Sequence, residues 1–219
     1  MALRILGRPS DRRSFLTGSA AVGTAFILTS KASAQDSVAI VADSVGRPGQ
    51  LDELVYGRAD APVTIVEYTS LTCGFCAHFH NDALPEFRRS HIDAGRARLV
   101  VREFPLDPRA LAGFMLARCL EGERTLAMID LLFRRQDEWA RAENVSGILL
   151  SLAQFAGMSQ DAFTACLSNT ELQQAILAVR ERGQTEFDVS GTPTFFINGE
   201  RHVGALDAAE LGAAVDAAA

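Results

Sequence analysis

The chain has 219 residues, of which 48% are hydrophobic and 22% charged, which is typical of one globular domain and too apolar for a disordered protein. Its formal charge is −6 and its only basic run lies in the first 13 residues, so we expect no nucleic-acid partner. No uninterrupted apolar run reaches the about 18 residues of a membrane helix, which argues against a polytopic membrane protein. Lys31 is the only lysine, so a chain that loses it has no Schiff-base, general-base or P-loop lysine.

Residues 1–34 have the three parts of a cleavable signal peptide: a basic start, a short apolar stretch and a small-residue cleavage site. The adjacent Arg12 and Arg13, followed closely by Phe-Leu, resemble a twin-arginine export signal. An ordinary Sec signal and a retained N-terminal anchor are the alternatives. Cleavage after Ala34 removes five basic residues and one acidic residue and leaves a charge of −10. We therefore expect a periplasmic or otherwise extracytoplasmic protein, in a compartment where disulfides persist.

The rest of the chain divides into a lead-in segment at 35–61, which is rich in turn formers, and a domain at 62–219. Hydrophobic patterns predict a strand, a helix and a strand at 63–68, 73–90 and 97–104. Pro85 is expected to kink the helix, since a proline ring displaces the carbonyl four residues before it.

Helical patterns then fill an insertion at about 107–182. It begins with Asp107 as the N-cap, and Thr170 with Gln173 predicts a capping box for its last helix. The chain ends with two short strands, at 194–197 and 200–203, joined by the hairpin signal Asn-Gly, and with a helix that starts at Asp207. The order is βαβ, helices, ββα, which predicts an α/β fold with a mixed four-stranded sheet and an inserted helical subdomain.

The motif Cys73-Gly74-Phe75-Cys76 lies where the first strand gives way to the first helix. Backbone N–H groups and the helix dipole at that position stabilise a thiolate, which makes Cys73 the reactive cysteine. Cys76, one turn deeper, is expected to be buried and protonated. Gly74 is expected to avoid a Cβ clash in the turn, and Phe75 to present an apolar surface beside the sulfur.

Two other uses of this pair remain open at this point. Cys73 and Cys76 with His78 and His80 could bind zinc or copper, although His78 follows too closely for an ordinary tetrahedral site. A purely structural disulfide is the second alternative. Covalent haem is excluded because Ala77, and not histidine, follows the second cysteine. Redox exchange is the interpretation that the position of the motif favours, and it needs no metal and no cofactor.

Taken in order, the strand, the Cys-x-x-Cys helix, the helical insertion and the Gly-Thr-Pro before a ββα end resemble the DsbA-like thiol:disulfide oxidoreductases of the thioredoxin superfamily. The resemblance covers roughly Leu51 to Ala217 and implies a thioredoxin-like fold. It further implies that Pro193 follows a cis peptide bond and lies against the cysteine pair. The main chain of Thr192 would then pair with an extended substrate in the manner of strand addition.

The resemblance also assigns roles to three residues outside the motif. Glu67 corresponds to a buried acid that helps to move protons to and from the deeper cysteine, the alternative being an exposed glutamate. Cys119 and Cys166 correspond to a structural disulfide that some family members carry, the alternative being two buried free thiols. We expect His80 to be exposed on its helix, with a proton shuttle as the alternative.

Two departures from the best-known oxidants of this family leave the direction of electron flow open. Those proteins carry Pro-His between the cysteines and valine before the cis-proline, where this chain has Gly-Phe and Thr192. We predict an enzyme that introduces disulfides into unfolded or partly folded exported proteins and is recharged by a membrane partner of the DsbB type. A reductase or isomerase of the same fold is the alternative, and a metal-binding chaperone is a more distant one.

Overall fold

A computed structural model describes residues 43–47 and 49–219 of the chain. The signal peptide predicted at 1–34, its twin-arginine pair and the first part of the lead-in segment lie outside those residues, so they stay predictions. Within the described part, no helix combines the length and the apolar character needed to cross a bilayer.

A five-stranded mixed sheet with the order β1-β3-β2-β4-β5 forms the centre of the fold. Its strands are β1 (Leu54–Tyr56), β2 (Val63–Thr69), β3 (Ala97–Glu103), β4 (Thr194–Ile197) and β5 (Glu200–Val203). The central strand β2 pairs parallel with β3 and antiparallel with β4, while β1 and β5 are antiparallel edge strands. This is a thioredoxin-like α/β sheet, and it confirms the predicted fold class.

The sheet has one strand more than the four predicted, because β1 lies inside the lead-in segment 35–61. The side chains of Leu54 and Tyr56 are buried, and the Tyr56 hydroxyl donates a hydrogen bond of 2.6 Å to Asp130 in the helical insertion. Val45 is buried as well. Treating the whole lead-in as a surface segment is therefore wrong: its later part belongs to the folded domain.

Helix α1 spans residues 74–92 and is not uniform. Its α-helical and π-helical segments alternate in the order Gly74–His78, Phe79–Ala83, Leu84–Phe87 and Arg88–Ile92, the second and fourth being π-helical. The irregularity that we expected as a kink at Pro85 is a π-helical turn that ends just before that residue, and the helix continues through it. Such turns are frequent at functional sites.

Six helices lie between β3 and β4, and one follows β5. They are α2 (Pro108–Arg118), α3 (Glu123–Arg134), α4 (Gln136–Trp139), α5 (Val145–Phe155), α6 (Gln160–Leu167), α7 (Thr170–Glu186) and α8 (Ala208–Ala218). The predicted N-cap Asp107 accepts from two backbone N–H groups. The capping box predicted at Thr170 is wrong, because Asn169 is the N-cap and its side chain accepts from the Leu172 N–H.

Side-chain alternation along β2 determines what the sheet presents to α1. Val66 and Tyr68 belong to a core on one face of the sheet. Ile65 belongs to the other core, which also contains Cys76 of α1. Glu67 has the same parity as Ile65, so an ionisable side chain points from the central strand towards the helix that carries the cysteines.

Candidate functional site

The two cysteines of the motif lie at the strand-to-helix turn where the sequence places them. Cys73 is the N-cap residue of α1, and its carbonyl accepts a hydrogen bond of 3.0 Å from the Ala77 N–H. Cys73 is partly exposed, Cys76 is fully buried, and both are free thiols in this structure. One sulfur is therefore accessible to a partner, while the other is reached only through it.

The surroundings of the two thiols move their pKa values in opposite directions. The pKa of Cys73 is lowered from 9.0 to about 5, mainly because the Cys76 thiol donates a hydrogen bond to it. The Thr192 hydroxyl and the backbone N–H groups of Cys76 and Phe75 add to this lowering, and burial opposes it. Burial raises the pKa of Cys76 strongly, and the hydrogen bond to Cys73 and the charge of Glu67 raise it further. Cys73 is thus the thiolate at neutral pH.

A loop before β4 covers the reactive sulfur. The Thr192–Pro193 peptide bond is cis, as the family resemblance implies. The Cys73 thiol donates to the Thr192 carbonyl oxygen, with Sγ and O 3.2 Å apart. The Thr192 hydroxyl is buried and makes no hydrogen bond while Cys73 is a thiol, which leaves it ready to donate to the thiolate. Thr192 therefore contacts the Cys73 sulfur through its main chain and favours the ionised form of that sulfur through its side chain.

Behind Cys76, Glu67 and His80 form a buried pair. Both side chains are essentially inaccessible to solvent, and His80 Nε2 lies 3.0 Å from Glu67 Oε2. An exposed Glu67 is therefore ruled out. Our expectation for His80 is wrong: instead of lying on the solvent face of the helix, it is buried in the π-helical turn of α1.

The two residues between the cysteines, Gly74 and Phe75, have different surroundings. A Cβ at Gly74 would meet nothing within 4 Å, so the expected steric need for glycine there is wrong. Phe75 is 69% exposed directly beside Cys73. An exposed phenyl ring lowers the solubility of a protein, and here it places an apolar group next to Cys73.

Sequence reasoning missed Gln136 of α4. Its side-chain amide donates to the carbonyls of Leu71 and Cys73, at 2.8 and 3.0 Å, and so ties the helical insertion to the backbone of the reactive cysteine. A second tie joins Thr72 to Asp107, with Oγ1 and Oδ2 2.6 Å apart. No local pattern signals these bonds, because their partners are more than 30 residues apart in sequence.

The other two cysteines are joined within the insertion. Cys119 at the end of α2 and Cys166 in α6 form a disulfide with an S–S distance of 2.08 Å and a Cα–Cα distance of 6.1 Å. The pairing is the one that the family resemblance implies, and the alternative of two free thiols does not hold in this structure.

The two histidines that the metal-binding alternative requires, His78 and His80, have other partners in the structure. His78 is exposed and its Nδ1 lies 2.7 Å from Asp82, and His80 is occupied by Glu67. Over residues 43–47 and 49–219, no three histidine, cysteine or acidic side chains are grouped closely enough to hold a metal ion.

Comparison with known proteins identifies the family. The sequence profile described as Thioredoxin matches residues 50–217, which is most of the chain. The chain belongs to the thioredoxin family. This match begins before β1 and ends within α8, so the helical insertion and the lead-in strand fall inside it.

Solved structures place this thioredoxin-family chain near DsbA proteins. Alpha-DsbA1 of Wolbachia pipientis is 26% identical, with a TM-score of 0.73 over 80% of this chain and 94% of that one. BdbD of Bacillus subtilis, at 20% identity and a TM-score of 0.67, covers 78% of this chain and 96% of its own, and shows the shared fold alone.

Among curated relatives, a Rickettsia bellii protein provisionally named a protein-disulfide oxidoreductase is 30% identical over 150 residues, or 68% of this chain. The matched region spans only 58% of that relative's length. This chain thus spans little more than half of the length of the curated relative it matches.

Proposed function

We propose that this chain is an exported thiol:disulfide oxidoreductase that passes a disulfide from Cys73 and Cys76 to cysteine pairs in unfolded or partly folded exported proteins. The observation that carries the proposal is the position of Cys73 as the N-cap of α1, next to the buried Cys76 and to Thr192, a setting that lowers the pKa of Cys73 to about 5. A stabilised thiolate favours the reduced state of the pair, and a pair that prefers to be reduced is a strong donor of its disulfide.

The reaction consists of two exchanges that conserve electrons. A substrate thiolate attacks Cys73 Sγ, the Cys73–Cys76 bond breaks, and Cys76 leaves as a thiolate that takes up a proton because its pKa is raised. A second substrate thiolate then attacks the substrate sulfur of the mixed disulfide. The substrate disulfide forms, and Cys73 leaves as the stable thiolate. Two electrons pass from the substrate pair to Cys73 and Cys76, and the low pKa of Cys73 accelerates its departure.

Three groups near Cys73 support a substrate role for this surface. The exposed ring of Phe75 suits the apolar segments of an unfolded chain. Thr192 presents its main chain next to the sulfur, so an extended peptide could pair with it as an added strand. Glu67, which is buried and raises the pKa of Cys76, would exchange the proton of that thiol.

Each turnover leaves the pair reduced, so the cycle needs an electron acceptor. By the family resemblance, a quinone-linked membrane oxidase of the DsbB type would recharge the pair. A reductase or isomerase fed by a membrane thiol donor is the second candidate, favoured by the Gly-Phe dipeptide and by Thr192. Binding of zinc or copper by the reduced protein at micromolar concentration would instead support the metal-chaperone alternative.

The deciding experiment is the reduction potential of the Cys73–Cys76 couple in glutathione buffers, with the Cys119–Cys166 disulfide intact. A value near about −120 to −160 mV supports a disulfide donor. A value near about −230 to −270 mV would place the protein with the reductases. The Cys76→Ser variant, which cannot form the bond, is the control for any signal from the second disulfide.

A further inference from the structure

The side chain of Gln136 connects the helical insertion to the main chain of the reactive cysteine. Gln136 is buried at the first position of α4. Its amide nitrogen lies 2.8 Å from the carbonyl oxygen of Leu71 and 3.0 Å from that of Cys73. Carbonyl oxygens only accept hydrogen bonds, so these two partners determine which end of the amide faces them. Each of the two amide hydrogens therefore serves one carbonyl.

We propose that Gln136 is a positioning residue for the exchange: by holding the main chain of Cys73 at the start of α1, it favours the reduced state of the cysteine pair over the disulfide. This inference rests on the thiol–disulfide exchange proposed above. It adds a residue of the insertion that the exchange does not otherwise use, and that residue acts through the backbone of Cys73.

The turn that Gln136 holds lies before the first residue of α1. The backbone of Cys73 is extended, with φ −81° and ψ 120°, and its N–H donates to the Ser70 carbonyl at 3.1 Å. Leu71 is fully buried, and within residues 43–47 and 49–219 its carbonyl accepts from the amide of Gln136 alone. A buried carbonyl without a partner is costly. Removing the amide should therefore loosen this turn.

The hydrogen bonds of Gln136 stabilise the two redox states unequally. In the reduced protein, the ionised sulfur of Cys73 is stabilised by backbone N–H groups of Phe75 and Cys76, which belong to α1. Cys73 precedes the helix, so the distance from its sulfur to those groups depends on what holds its own backbone. In the oxidised protein, the covalent bond to Cys76 already holds Cys73 against α1. Loss of Gln136 should therefore weaken the thiolate more than the disulfide.

Helix α4 is itself well anchored, so it is a firm support for the Gln136 side chain. Trp139 is fully buried, and its indole N–H donates to the Leu132 carbonyl at 2.9 Å. The Arg109 guanidinium donates at 2.7 Å to the carbonyl of Ala140, the residue after α4. A side chain positions a reactive group only when its own backbone is fixed, and α4 meets that condition.

Gln136→Met tests this role, because methionine is also unbranched but has no hydrogen-bond donor. Two quantities are measured: the equilibrium constant with glutathione, and the pKa of Cys73 from the ultraviolet absorbance of its thiolate. We expect the equilibrium constant to shift about tenfold towards the disulfide, or about 30 mV, which is the worth of about one hydrogen bond. The pKa of Cys73 should rise, because a less stable thiolate takes up a proton more readily.

A merely structural role predicts a different pattern. A glutamine that only supports the fold would stabilise both redox forms equally, so Gln136→Met would lower the free energy of unfolding of both forms by the same amount. The equilibrium constant and the pKa of Cys73 would then keep their wild-type values, and that result would overturn the proposal. A shift of the equilibrium towards the dithiol would overturn it as well.

Two control variants remove comparable hydrogen bonds elsewhere. The Asn81 amide donates to the Phe133 carbonyl at 3.2 Å, so Asn81→Leu also removes a bond between α1 and the insertion, further along the helix than Cys73. Thr125→Val removes a buried hydroxyl whose acceptor is the Leu120 carbonyl. Both controls should keep the wild-type equilibrium constant. If either shifts it as Gln136→Met does, the effect belongs to the insertion as a whole, and the assignment to Gln136 is overturned.

The wild-type protein supplies a test that does not depend on folding of a variant. If the amide of Gln136 favours the reduced state, the reduced state must in turn favour the hydrogen bonds of that amide. NMR should therefore show the side-chain amide hydrogens of Gln136 exchanging with solvent more slowly in the reduced protein than in the oxidised protein, by about the same tenfold factor. Equal exchange in the two forms would overturn the proposal.

Failure of this role and failure of the proposed function give different results. A wild type that exchanges with neither dithiothreitol nor glutathione would refute the proposed function itself. A wild type that exchanges, with Gln136→Met matching its equilibrium constant and its pKa of Cys73, refutes the positioning role alone.

Discussion

Lowering the pH from 7 to 5 should destabilise the reduced protein relative to the oxidised protein. The folded pKa of Cys73 is about 5, against an ordinary value of 9.0. At pH 7 the folded thiol is ionised while the unfolded thiol is protonated. Two pH units separate the folded pKa from pH 7, and each is worth about 1.4 kcal/mol, so ionisation stabilises the folded reduced protein by at most about 2.7 kcal/mol. Cys73 is partly exposed, so solvent screening reduces this to about 2 kcal/mol.

The sign follows from the direction of the shift. A lowered folded pKa gives stability that is present at pH 7 and is lost as the pH falls through 5. Cys76, whose pKa is raised, stays protonated in both the folded and the unfolded chain across this window and contributes nothing. The oxidised protein has no Cys73 thiol to titrate, so the other ionisable groups largely cancel when the two redox forms are compared.

Urea unfolding of both redox forms at pH 7 and pH 5 measures this effect, and the ultraviolet absorbance of the thiolate gives the pKa independently. We expect the free energy of unfolding of the reduced form, relative to the oxidised form, to fall by about 2 kcal/mol between the two pH values. The matched control is Cys73→Ser, whose stability should lack this component. A difference between redox forms that is the same at both pH values, with a thiolate that titrates near 9.0, would refute the reasoning.

Three further predictions concern single features. Replacing Cys119 and Cys166 together with serine should lower the free energy of unfolding by about 4 kcal/mol in urea, since the disulfide closes a loop of 47 residues; an unchanged midpoint would contradict this. Gly183→Ala should cost about 1–3 kcal/mol in the same assay, because a Cβ there would lie 2.7 Å from Tyr68 Cε1; equal stability would mean that the ring moves aside freely. Phe75→Ser should slow oxidation of a reduced, unfolded protein while leaving exchange with glutathione unchanged, and equal slowing of both would show that the ring acts on the sulfur itself.

Local signals account for what the sequence predicts well. The Cys-x-x-Cys motif at a strand-to-helix boundary predicts where both thiols lie. The first cysteine falls at the start of the helix, and the second, three residues later, falls one turn further in and is buried. The Asn-Gly pair between β4 and β5 predicts the hairpin, and the predicted helix start at Asp207 is the N-cap of α8. Each depends on chain neighbours within four residues, where geometry leaves few alternatives.

The features that sequence reasoning misses depend on distant partners or irregular geometry. Strand β1 is three residues long, too short to show alternation, and Tyr56 is held by Asp130, 74 positions away. The sequence predicts an exposed His80, whereas the structure buries its side chain. The π-helical turn at Phe79–Ala83 has a longer repeat, which changes the face that each residue presents and turns the imidazole inward.

The amide of Gln136 has a mechanical consequence. The same NH2 group binds the carbonyls of Leu71 and Cys73, so the helical insertion is attached to the peptide unit that precedes Thr72 and to the one that follows Cys73. Any rocking of the insertion about its connections to the sheet must therefore either break these bonds or displace the backbone that carries the nucleophile. A partner that binds the insertion and moves it would therefore displace the backbone of Cys73 without contacting the sulfur.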